Sequence, residues 1–169
     1  MNYDAAITQL NRNKAAFVSL MFNLPPAEYN WRRTPDTWNL LEIVCHLRDE
    51  EVEDFRPRTR ICLESPGTLP PPIAPDKWPE QRAYLSQNYL TTMANFLDER
   101  SASITWLQSL EAPDWDRGFD HPEMGHLTAG LLLRNWVMHD YLHLQKAQNI
   151  RMAYLRAHSP DGFKYATGE

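Results

Sequence analysis

The sequence predicts an all-α protein, a four-helix bundle with long crossover connections. Three observations lead to this fold class: four long segments with apolar residues at helical spacing, no strand-like alternation of comparable length, and proline-rich breaks between the segments. The chain has 169 residues, 43% hydrophobic and 23% charged. These values suit one folded unit, so we expect a single domain over residues 1–169.

Residues at the end of the first predicted helix and at the start of the second indicate where these helices stop and begin. Apolar residues at helical spacing occupy about residues 3–23, and two prolines directly afterwards stop that helix. The second helix is predicted over about residues 39–63. Asn39 can cap it with its side chain, and Glu42 is placed to complete a capping box. Pro57 lies inside this helix and predicts a kink or an early break.

The other two predicted helices follow long connections. Residues 64–79 contain too much proline for a helix or a central strand, so this segment is either a crossover between bundle helices or a cover over a site. The third helix is predicted over about residues 80–110, and an irregular connection over 111–127. Thr128 is the predicted cap of the fourth helix, which continues to about Ala157.

Charge and hydropathy exclude several classes of function. The net charge is -5 and no basic block stands out, so we expect no binding to nucleic acid or to a membrane surface. No run approaches 18 apolar residues, and the N-terminus lacks the pattern of a signal peptide. Cys45 and Cys62 would lie roughly 25 Å apart on one helix, too far for a disulfide. Free thiols favour a cytoplasmic location.

The segment with the most chemical information is His139-Asp140-Tyr141-Leu142-His143, inside the fourth helix. Two imidazoles at this spacing share a helix face, with Cβ atoms roughly 5–6 Å apart. They can close on one ion, since zinc–nitrogen bonds are about 2.0–2.1 Å. His46 on the second helix is the best candidate for a third ligand, and three ligands leave positions for water or substrate. The alternatives are core or rim histidines, and a bundle whose histidines never meet.

Other metal-site patterns fit less well. The zincin pattern needs glutamate directly after the first histidine, where this chain has Asp140. A carboxylate di-iron bundle needs two Glu-x-x-His motifs, and the match at Glu123 and His126 falls in a predicted loop. Phosphohydrolases with a His-Asp motif need further ligands in an order that we do not find in the sequence.

Three carboxylates near the histidines are candidates for supporting roles. Glu50 follows His46 by four residues and can act as a general base or a fourth ligand. Asp49, three residues after His46, and Asp140, three residues before His143, can each orient the neighbouring imidazole by a hydrogen bond. For all three, the alternative is an ordinary solvated charge.

Three short motifs occur in a fixed order: Trp38-x-x-x-Glu42-x-x-x-His46-Leu47, then Gly125-x-Leu127-Thr128, then His139-Asp140-x-x-His143-Leu144-x-x-Ala147. Their order and spacing resemble the DinB-like (DinB/YfiT) superfamily, and the resemblance covers most of the chain. It implies an antiparallel four-helix bundle that holds a divalent metal, often zinc or nickel, on His46, His139 and His143. Lys146 is a departure, since it stands three residues after His143, where the family often has glutamine.

The resemblance also bears on function. It implies a metal-dependent hydrolase or a thiol-dependent transferase or isomerase, acting on a small-molecule substrate that the sequence does not identify. The alternative is a non-catalytic bundle, stabilised by its metal, that binds a small molecule or another protein. Related bundles often pair through helix faces, so a homodimer is compatible with the sequence.

Overall fold

The computed structural model describes residues 2–159 and 162–167. In chain order its elements are α1 (Tyr3–Met21), α2 (Pro26–Tyr29), α3 (Leu40–Glu50), a π-helical turn (Glu51–Phe55), α4 (Arg56–Glu64), α5 (Trp78–Gln81), a 3₁₀ turn (Tyr84–Ser86), α6 (Tyr89–Ser109), β1 (Gly118–His121), β2 (Gly125–Thr128), α7 (Ala129–His158) and α8 (Lys164–Thr167). The bundle consists of α1, the continuous segment from α3 to α4, α6 and α7. Helix α1 packs against α6 and α7, α3 packs against α6, and α4 packs against α7.

The predicted helix starts at Asn39 and Thr128 are confirmed. The Asn39 side chain accepts a hydrogen bond from the Glu42 amide, and the Glu42 carboxylate accepts one from the Asn39 amide, which forms a full capping box. The Thr128 hydroxyl accepts a hydrogen bond from the Leu131 amide at 3.1 Å. These caps fix where α3 and α7 begin, and both helices carry candidate ligands.

Pro57 does not break the second helix of the bundle. It occupies the second position of α4, directly after the π-helical turn. Proline donates no hydrogen bond and its ring crowds the carbonyl four residues earlier, so a regular α-turn cannot continue through it. The wider π turn accommodates the proline, and π turns of this kind are frequent at functional sites.

The third predicted helix starts later than expected. The chain forms α5 and a 3₁₀ turn first, and Ala83 between them has a φ of 45°. A left-handed residue interrupts an α-helix, so the regular helix restarts only at α6. Its cap is Asn88, whose side chain accepts a hydrogen bond from the Thr91 amide at 3.0 Å.

The connection before α7 contains a short antiparallel hairpin, so the all-α prediction is approximate. Strands β1 and β2 pair with Phe119 opposite Leu127. Both side chains are buried in an apolar cluster that includes Cys62 and Leu132. Gly118 is required for this pairing, because a Cβ there would overlap the Leu127 carbonyl group. Strands of only four residues give too little alternation to be recognised in the sequence.

The long connection from α4 to α6 is a crossover, as one of the two sequence interpretations expected. The Gly67 amide donates to the Gly118 carbonyl at 2.8 Å, which ties the start of the connection to the hairpin. Arg58 holds it to α4 by donating to the Pro71 carbonyl at 2.9 Å.

Over residues 2–159 and 162–167, the helices include none that combines the length and apolar character needed to cross a bilayer.

Candidate metal centre

Three histidines from two helices meet inside the bundle. His46 lies on α3, and His139 and His143 lie one turn apart on α7. One ligand atom from each ring lies within 4.8 Å of the others. His46 and His143 are buried, with 6% and 3% of their surface exposed, whereas His139 is half-buried. The structure therefore brings together the three residues that the sequence singled out.

The geometry of the cluster fits a divalent cation. The Nε2 atoms of His46 and His139 face each other at 3.2 Å. Two nitrogens bound at about 2.0–2.1 Å to a tetrahedral ion lie about 3.3–3.4 Å apart. The buried Nδ1 atom of His143 has no hydrogen-bond partner among the described residues. An unpartnered buried imidazole nitrogen is costly without a ligand, and imidazole nitrogens suit divalent transition metals, so these residues fit the metal that the resemblance implies.

The three imidazoles are held in the uncharged form that metal ligands require. Burial is the main cause, and it lowers the pKa of His46 to about 3, that of His139 to about 4 and that of His143 to about 2. Nearby positive charge adds to the effect, and Lys146 acts on all three rings. The cluster is thus ready to donate nitrogen lone pairs at neutral pH.

Protein prepared without metal should lose stability as the pH falls below about 6.5. The unfolded chain takes up protons at the three histidines near that pH, whereas the folded chain resists protonation until much lower pH. Burial raises the pKa of Glu50 to about 9, so this group favours folding below that pH and offsets part of the loss. The three histidines account for a loss of about 3 kcal/mol between pH 6.5 and 5.5, and after the opposing contribution of Glu50 we expect a net loss of roughly 1.5–2 kcal/mol.

Urea unfolding across this pH range measures the effect. A variant that replaces His46, His139 and His143 with alanine is the comparison, and it should show no loss of stability over this pH range. An equal slope in both proteins would show that the titrating groups lie elsewhere.

Glu50 lies directly behind the His46 ring. It is buried, which excludes the solvated-charge alternative, and its Oε1 is 3.6 Å from Nδ1 of His46. That nitrogen is on the side of the ring opposite the Nε2 atom that faces His139. Among the described residues, the cluster whose ligand atoms can share one ion does not include Glu50. The position therefore suits a group that orients His46 better than it suits a fourth ligand.

Replacing Glu50 with alanine should weaken metal affinity about 10- to 100-fold while leaving one ion bound at saturation, because outer partners of ligating histidines typically have effects of this size. Competition with a chromophoric chelator measures the affinity. Glu53→Ala is the matched control, since Glu53 is exposed on the neighbouring π turn. Equal affinities of the two variants would contradict the orienting role.

Asp49 and Asp140 are also buried, but the structure gives them partners other than the predicted imidazoles. Asp49 accepts hydrogen bonds from Tyr84 at 2.7 Å and from Arg48 at 2.8 Å, and it pairs with Arg82. Asp140 accepts hydrogen bonds from Arg100 and makes none with His143, whose Nδ1 is unpartnered among the described residues. Each carboxylate therefore pairs with arginine. Neither makes the direct hydrogen bond to a candidate ligand that the sequence predicted.

A buried ionic network supports α7 at the ligands. Arg100, 1% exposed, donates two hydrogen bonds to Asp140 and one to Glu51, each at 2.7 Å. Further donors to the two carboxylates are Asn13, Ser103 and Trp136. The network joins α1, the π turn, α6 and α7. Because Asp140 follows His139 in the chain, it fixes the backbone that carries this ligand.

Three aromatic side chains surround the histidines, and the sequence interpretation missed two of them. The ring centroids of Trp38 and His46 are 5.1 Å apart, those of Phe55 and His139 are 5.1 Å apart, and those of Trp78 and His46 are 6.3 Å apart. Trp78 begins α5, within the connection from α4 to α6, so this part of the connection also borders the histidines. For Trp78, the available signal in the sequence was an aromatic residue near the end of a proline-rich segment.

Comparisons with known proteins agree with this architecture. The family model of the DinB superfamily matches residues 9–147. YfiT from Bacillus subtilis has a similar solved structure, with a TM-score of 0.78, 18% sequence identity, and coverage of 89% of this chain and 86% of YfiT. YfiT is described as a probable metal-dependent hydrolase with an unusual four-helix bundle topology. No curated protein gives a significant match. With a family match over most of its length, this chain belongs to the DinB superfamily.

Proposed function

We propose that this protein is a metal-dependent hydrolase that binds one divalent cation, zinc or nickel, through His46, His139 and His143. The observation that carries the proposal is the convergence of three neutral, largely buried imidazoles, with two Nε2 atoms 3.2 Å apart. Imidazole nitrogens suit zinc and nickel. The shared fold with YfiT, described as a probable metal-dependent hydrolase, supports the same assignment.

When bound, such a cation polarises a carbonyl or phosphoryl oxygen and lowers the pKa of a coordinated water towards 7. The chain supplies the remaining parts of the site. Three histidines leave coordination positions free for water or substrate, which is typical of catalytic centres. His139 is the most exposed of the three, so substrate reaches the cluster from its side. Trp38 and Trp78 flank His46 and limit the access of bulk water.

The two cysteines of the chain do not supply the thiol for a transfer reaction. Cys45 and Cys62 are buried and free. Burial raises the pKa of Cys45 to about 12 and that of Cys62 to about 11, so neither supplies a thiolate at neutral pH. A transferase would therefore need a thiol that arrives as a second substrate.

Addition of zinc or nickel to metal-free protein should raise its stability. At a free metal concentration about 1,000 times the Kd, binding contributes about 4 kcal/mol, which corresponds to a rise of roughly 8–16 °C in Tm. Differential scanning calorimetry with and without metal measures this shift. A His46→Ala variant should show little of it, and an equal shift in that variant would place the metal elsewhere.

The function itself is tested by turnover. Esters, amides and phosphate esters are offered to the zinc-loaded, nickel-loaded and metal-free protein. We expect hydrolysis that requires the metal and is restored when metal is added back. Equal turnover without metal contradicts the proposal. Loss of stability on chelation, with no turnover by any form, supports instead the non-catalytic bundle in which the metal only fixes the fold.

A further inference from the structure

One cavity of the described structure lies next to the candidate metal centre. Its volume is about 660 Å³. Four parts of the chain form its walls: the end of the π turn with the start of α4, the proline-rich crossover, the tip of the hairpin, and the first turns of α7. Small-molecule sites in proteins commonly have volumes of about 300–1,000 Å³. The cavity is therefore large enough for a whole substrate.

The chemistry of the walls is predominantly apolar. Leu69 and Met124 line the cavity and are 54% and 69% exposed. Leu132 also lines it but is buried, in the apolar cluster under the hairpin. The lining also contains one carboxylate and one guanidinium, Asp54 and Arg58, and these pair with each other at 2.6 Å. Their charges offset each other. The cavity thus offers apolar contact area without a net charge.

Two residues of the π turn connect this cavity to the histidines. Phe55 lines the cavity, and its ring lies 5.1 Å from that of His139. Asp54 also lines the cavity, and its carboxyl group is hydrogen-bonded to that of Glu50, the residue behind His46. One phenyl ring therefore separates the cavity from the candidate metal centre.

We propose that this cavity binds the body of the substrate, and that the substrate is a neutral, predominantly apolar small molecule. This inference rests on the proposed hydrolase function and names its substrate class. A molecule seated here would pass the Phe55 ring to place its reacting bond beside His139, the ligand on the exposed side of the cluster. The apolar walls favour such a ligand by removing its surface from water, and a charged molecule would lose hydration without gaining a counter-charge.

A neutral fluorescent probe, N-phenyl-1-naphthylamine, tests the cavity. We expect saturable binding to one site, weakened at least tenfold in the double variant Leu69→Glu/Met124→Glu. The matched control is Leu90→Glu/Met152→Glu, since Leu90 is 50% and Met152 is 42% exposed, and neither lines this cavity. The control should bind the probe like the unmodified protein. Absence of saturable binding, or equal weakening in both double variants, overturns the proposal.

Proximity to the metal centre is tested with the same probe. Proton relaxation of the bound probe should be faster with cobalt-loaded than with zinc-loaded protein, because paramagnetic cobalt acts only at short range. Equal relaxation rates with the probe bound would overturn the placement of the substrate beside His139. A protein that binds no cation would overturn the proposed function, while titration of the metal-free protein still decides whether the cavity takes an apolar ligand. The two failures are thereby distinguishable.

Discussion

Replacement of His139 with alanine should abolish stoichiometric metal binding and weaken the affinity for zinc or nickel more than about 100-fold. Only His46 and His143 would remain, whereas open catalytic sites use three protein ligands, and losing even an outer partner of a ligand typically costs about 10- to 100-fold in affinity. Elemental analysis of protein purified without added metal, followed by chelator competition, measures the change.

Turnover gives a second measurement on the same variant. Hydrolysis should be lost together with the metal in His139→Ala. The control is His126→Ala, because His126 is exposed on the hairpin and pairs with Asp120 at 2.8 Å, away from the cluster. That variant should keep both metal and activity. Metal loss with unchanged turnover would reject the mechanism, and retained metal would reject His139 as a ligand.

Replacement of Arg100 with methionine should destabilise the protein by roughly 3–5 kcal/mol, since breaking a buried ion pair leaves uncompensated charge inside the protein. Glu51 and Asp140 would both lose their cation, and both are fully buried. For a chain of this size, the loss corresponds to a fall of roughly 6–20 °C in Tm. Urea and thermal unfolding of the metal-free protein measure it.

Arg12→Met is the matched control for this substitution. Arg12 is exposed on α1, so the same change of side chain should alter stability by no more than about 0.5 kcal/mol. If Arg100→Met unfolds like this control, the network contributes nothing measurable. If Arg100→Met fails to fold at all, the smaller change Ser103→Ala, which removes one donor to Glu51, should still cost about 1 kcal/mol.

Much of the bundle could be predicted because its determinants are local. The capping box of Asn39 and Glu42 and the Thr128 cap involve residues three positions apart, so they are visible in the sequence. The histidine spacing on α7 places two rings on one face by helix geometry alone. Both predictions used only distances along a single helix. The pairing with His46 needed the further assumption of a bundle core.

The remaining features depend on contacts between distant segments. Arg100 lies at helical spacing from the buried Phe96 and Ile104, so a charge within an apolar stripe was the available signal for the ionic network. Its partners, Glu51 and Asp140, are about 40 to 50 residues away. The hairpin likewise depends on pairing across a turn, and the late start of α6 depends on the left-handed Ala83. No periodicity along one segment encodes these features.

Because His139 and Asp140 are adjacent in the chain, cation binding and the stability of the ion pair between Asp140 and Arg100 are coupled. One peptide unit joins the ligand to the carboxylate that Arg100 holds. Thermodynamic coupling is reciprocal. The free energy that the intact ion pair adds to cation binding therefore equals the free energy by which a bound cation stabilises the ion pair. Hydrogen exchange of amides near Arg100 should therefore slow when the cation binds, even though no ligand lies on α6.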